Sequence, residues 1–172
     1  MNPRIRRVAV LAALASTVAV PALAADPIAD SRYEGQTSQG ADGLRFEFRT
    51  SADGSRVERL FTQFRARRCE SAENGTQGSL RVASAAIDDD GAFAKRGKET
   101  ARIPASGSFQ GGSQVERYRI RGRFATSERA VGTMRVTVEV RNQAGATIET
   151  CTSGRRAVTW SAERLGVGPD EQ

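Results

Sequence analysis

The stretch Arg117-Tyr118-Arg119-Ile120-Arg121-Gly122-Arg123-Phe124 changes polarity at every residue. A period of two puts the four arginines on one side of an extended chain. Tyr118, Ile120, Gly122 and Phe124 fall on the other, as in a β-strand covering a core with one face. The alternation recurs where Leu44, Phe46 and Phe48 interleave with Arg45, Glu47 and Arg49. It returns where Met134, Val136, Val138 and Val140 interleave with Arg135, Thr137, Glu139 and Arg141, and where Val158, Trp160 and Ala162 interleave with Thr159, Ser161 and Glu163. One apolar and one polar face is the mark of antiparallel strands packed on one side.

Turn signals separate these runs: Asp42-Gly43, Asp53-Gly54, Asn74-Gly75, Asp90-Gly91, Gly111-Gly112, Ala144-Gly145 and Ser153-Gly154. Short strands with such punctuation argue for an all-β sandwich or barrel. The expected fold is one antiparallel β-sandwich or jelly-roll-like domain over 32–165, built from roughly eight to ten strands. Trp160 is in phase with Val158 and Ala162 and belongs to its core. Three Gly-x-Phe triplets, at Gly91, Gly107 and Gly122, read as turns running into strands.

One segment carries two readings. Val57, Leu60, Phe61 and Phe64 match the helical i, i+3, i+4, i+7 template. As a strand, residues 56–68 would turn Leu60, Thr62, Phe64 and Ala66 inward and leave Phe61 exposed or at a bulge. Asp53-Gly54 just before it favours a hairpin, hence the bulged strand.

Residues 1–24 have the three regions of a secretory signal peptide. Arg4, Arg6 and Arg7 precede an uncharged apolar segment over 8–20, then Pro21 and the small-x-small site Ala22-Leu23-Ala24. Cleavage is predicted before Ala25, and the apolar segment is shorter than the roughly 20 residues a membrane helix needs. Residues 25–31 and 166–172 read as flexible ends. The expected location is periplasmic, cell-envelope or secreted.

Losing Arg4, Arg6 and Arg7 with the leader takes the net charge from +6 to +3. Cys69 and Cys151 are the two cysteines. In an oxidising compartment an even pair reads as one disulfide. A loop of 82 residues puts its stabilisation at about 4.5 kcal/mol in the chain-entropy model.

Absences restrict the chemistry. The chain has no histidine, which removes Ser-His-Asp and Cys-His catalysis and His-ligated metals. Phosphate-loop, dinucleotide and nucleophile-elbow motifs are missing. Glycoside hydrolysis needs two acids across a cleft, and Glu34, Glu116 and Glu139 would meet only by accident of topology.

Two clusters remain. Asp88-Asp89-Asp90 before Gly91 reads as a tight turn, with a Ca²⁺ site as the competing reading. Arg117, Arg119, Arg121 and Arg123, joined by Arg135 or Arg141 on the next strand, could hold a polyanion. The competing reading is a solvated face neutralised across strands by Glu47, Glu116, Glu139 and Glu149.

Several weak signatures occur in order: Tyr33-Glu34-Gly35-Gln36-Thr37, Phe46 and Phe48 before Asp53-Gly54, Cys69, and Asp90-Gly91-Ala92-Phe93. Gly122-Arg123-Phe124, Ala130-Val131-Gly132-Thr133, Cys151 and Trp160-Ser161-Ala162 follow. Over 32–164 the chain resembles a group of uncharacterised exported bacterial all-β domains. That resemblance implies a compact antiparallel sandwich with one disulfide, and neither activity nor catalytic residues.

The functional expectation is an exported non-enzymatic module without a cofactor, acting by surface contact. One alternative is an Arg-face binder of acidic polysaccharide or nucleic acid. Another is a carboxylate- or Ca²⁺-dependent carbohydrate-active domain.

Overall fold

The computed structural model describes residues 25–39, 43–67, 69, 76–103 and 111–166. The predicted leader, Asn74-Gly75 and Gly107 lie outside them. Nine strands form among the described residues, all antiparallel to their neighbours. They are β1 (Arg32–Thr37), β2 (Arg45–Thr50), β3 (Arg56–Ala66), β4 (Thr76–Ala86), β5 (Ala92–Arg102), β6 (Ser113–Thr126), β7 (Arg129–Arg141), β8 (Thr147–Thr152) and β9 (Val158–Arg164). No described helix is long and apolar enough to cross a membrane.

The strands join in one sheet, ordered β4-β3-β2-β1-β9-β7-β6-β5, with β8 paired to β7. One edge of β7 is shared: β9 takes 129–134 and β8 takes 137–141. Pairing of β1 with β9 joins the first and last of these strands, and the edges meet at the Ile87–Phe93 bridge, so the sheet is nearly closed like a barrel. The expected all-β antiparallel domain is present. The sandwich or jelly-roll arrangement is not confirmed, because the pairing runs continuously through one sheet where a sandwich stacks two. Alternating faces are common to both architectures, so alternation does not separate them.

The inward faces fill the interior. Tyr33, Phe46, Phe48, Phe93, Phe124 and Trp160 form its aromatic centre. Trp160 stacks on Phe46 at 4.0 Å between ring centres, and Tyr33 stacks on Phe48 at 4.9 Å. The buried Tyr33 hydroxyl donates to the Ser127 carbonyl at 2.6 Å. Ahead of β1, Asp30 N donates to Ser51 O, just past β2, and Thr50 Oγ1 of β2 donates to Ile28 O.

β3 is a bulged strand. Glu47 pairs with Phe61 and Arg49 with Glu58, so Arg59 and Leu60 together oppose Phe48. Arg59 takes the left-handed conformation, φ 49°. The extra residue shifts the phase: Val57 faces the core, then Leu60, Thr62, Phe64 and Ala66. That three-residue step mimics a helical period. Phe61 is left half-buried on the outside, with the Arg81 guanidinium 5.1 Å from its ring centre.

Glycines inside strands make room for aromatic rings. Phe64 pairs with Gly78, Tyr118 with Gly97, Phe93 with Gly122 and Trp160 with Gly132. A Cβ on any of these glycines would overlap the ring opposite it. Gly91 does begin a strand from a turn, with φ 64°, but Gly122 sits mid-strand under Phe93 and Trp160. The three-residue motif therefore serves two unrelated purposes.

Candidate anion-binding face on strands β5 to β7

β6 lies between β5 and β7, and its register fixes what surrounds each arginine. Arg119 is directly opposite Arg96 of β5 on one side and Arg135 of β7 on the other. Arg117 is opposite Lys98 and Thr137. Arg121 is flanked by Ala94 and Thr133, and Arg123 by Ala92 and Val131. Two rows of cations thus cross at Arg119, one along β6 at about 7 Å spacing and one across three strands at about 5 Å. Like charges directly opposite one another destabilise a sheet.

Compensation is sparse. Glu139 accepts from Arg117 Nε at 2.9 Å and from Arg141 Nη2 at 2.6 Å. Those bonds, the one from Arg117 foremost, hold its carboxyl below the ordinary glutamate range. Among the described residues no carboxylate lies within ion-pair distance of Arg119, Arg121, Arg123 or Arg135.

Of the four glutamates that could neutralise this face, Glu139 alone pairs with its arginines among the described residues, and two of the others face the other way. Glu116 follows the inward phase of Tyr118 and Ile120, opposite Glu99. Burial and the Glu99 charge raise its carboxyl above the ordinary range, while a 2.7 Å bond from Gln114 opposes the shift. Glu149 is buried in phase with Cys151 on the inward side of β8. Glu47 sits far from this face on β2, where it pairs with Arg32 and Arg45.

The β1–β2 outer face is what a merely solvated surface looks like in this chain. There Glu34 and Glu47 each contact both Arg32 and Arg45, two acids for two bases. On β5–β7, Arg96, Lys98, Arg117, Arg119, Arg121, Arg123, Arg135 and Arg141 share the single outward Glu139. The asymmetry is a property of position, hidden inside a modest net charge.

The other sequence candidates resolve as follows. Cys69 and Cys151 form a disulfide. Asp88, Asp89 and Asp90 lie in the β4–β5 turn, where Asp88 Oδ1 accepts from the amides of Asp90 at 3.1 Å and Ala92 at 2.8 Å. Glu34, Glu116 and Glu139 are not brought together: Glu34 is on β1, and the other two point to opposite sides of the sheet. Arg96 and Lys98 were missed, because the outward face of β5 shows no clean alternation in Ala92–Arg102. Known protein families, curated proteins and solved structures were compared with the chain, and none of them matches.

Proposed function

We propose that this is an exported, non-enzymatic module that acts by surface contact, and that its contact face is the cationic outer side of β5–β7. Its partner is an anionic polymer, acidic polysaccharide or nucleic acid. The observation that carries the reading is the Arg96–Arg119–Arg135 row, like charges placed side by side with no carboxylate in ion-pair distance among the described residues. Such a row costs folding energy until an anion bridges it. Guanidinium forks suit sulfate and phosphate oxygens, and a polymer gains further by releasing its own counterions. The disulfide is compatible with an oxidising location.

Retention on heparin and on duplex DNA at about 0.15 M salt tests the reading. The Arg119→Glu, Arg121→Glu double variant should elute at much lower salt, with a shallower dependence of affinity on salt. Equal retention of the two proteins would remove the proposal.

A further inference from the structure

A pocket of about 360 Å³ opens where β4 turns into β5. It exists because these two strands are the edges of the sheet: they bridge at Ile87 and Phe93 and are not paired beyond that point. Ala86, Ile87, Ala92, Phe93 and Ala94 supply apolar walls. Two charged residues line it. Asp88 is committed to the turn amides. Arg121 has no carboxylate partner among the described residues.

We infer that this pocket binds a small anionic amphiphile, its alkyl chain against the outward Ala86, Ala92 and Ala94 and its head group on the Arg121 guanidinium. An inorganic anion gains nothing from alanine walls. A neutral alkyl chain leaves the Arg121 cation without a partner, so the combination selects a ligand carrying both parts. The site goes beyond polymer binding and shares Arg121 with it.

The chain carries its own reporter. Trp160 is the one tryptophan, and it packs against Gly122, a residue of the pocket wall. A Cβ on Gly122 would stand 2.6 Å from its Cζ2 atom. Titration with ω-bromodecanoate below its micellar concentration should quench Trp160 fluorescence to saturation. Ala94→Phe, which fills the pocket from an exposed position, should abolish the saturable phase. Arg121→Gln should weaken binding about tenfold. Thermal melts matching the wild type confirm that both variants fold. Linear quenching, or saturable quenching unchanged by Ala94→Phe, would overturn the site. Binding of ω-bromodecanol as tight as that of the carboxylate would overturn the head-group assignment. Because Ala94 carries no charge, heparin retention by Ala94→Phe reports on the polymer reading separately.

Discussion

The indole of Trp160 lies across Gly132, its direct partner on β7, and a Cβ at that glycine would meet both the ring and the Arg121 carbonyl. Gly122, paired with Gly132 across β6 and β7, is pressed against the same ring. A glycine in a strand usually weakens it, yet here the missing side chains form the slot that lets Trp160 stack flat on Phe46.

Gly132→Ala should therefore destabilise the protein by about 2–3 kcal/mol, as overpacking of a filled core does. Urea unfolding followed by Trp160 fluorescence measures it. A native emission maximum with unchanged stability would show that the slot has slack.

Removing the disulfide should cost up to about 4.5 kcal/mol through the longer reach of the unfolded chain. The bond joins Cys69, just beyond β3, to Cys151 on β8, and Arg67 bridges Thr152 beside it. Cys69→Ser, Cys151→Ser should lower the melting temperature while leaving a strand-dominated circular dichroism spectrum.

Arg59 tests the bulge. A glycine inside a regular strand costs roughly 0.5–1 kcal/mol, but Arg59 already holds a left-handed conformation that only glycine adopts freely. Arg59→Gly should leave stability within about 0.5 kcal/mol of wild type, because relief of strain offsets the extra freedom of the unfolded chain. Glu58→Gly, one residue earlier in ordinary strand geometry, should be the more damaging of the two.

Glu116 predicts a pH dependence with a definite sign. Burial, with Glu99 opposite, raises its folded pKa, so the folded state holds this proton more tightly than the unfolded chain does. The associated stability is complete below the ordinary glutamate pKa and is lost as pH rises through the raised one. Glu116→Gln should thus raise the melting temperature at neutral pH. The gain should shrink toward zero below about pH 4. A constant gain at all pH values would assign the effect to packing.

Much was legible before any tertiary information, residue by residue. Phe48, Phe124 and Trp160 face inward as their alternation requires, and the Asp88–Asp90 cluster makes a turn. Residues 56–68 carry two readings in the sequence, because a single bulge at Arg59 inserts a helix-like step into a strand. The cationic face was visible as a row along β6 joined by Arg135 or Arg141, without Arg96 and Lys98 of β5. Its width depends on Arg96 and Arg135, which lie 23 residues to one side of Arg119 and 16 to the other.

The sequence by itself determined which way side chains point along the cleanly alternating strands β2, β6, β7 and β9, because alternation is a local consequence of extended backbone geometry. It also determined the one cystine, since two sulfurs have a single pairing. Tertiary structure alone decided which strands became neighbours. It rolled the sheet through β1 and β9, set three basic strands side by side and placed Glu99 opposite Glu116. Those outcomes depend on hydrogen-bonded register between residues distant in the chain, which the local polarity pattern does not specify.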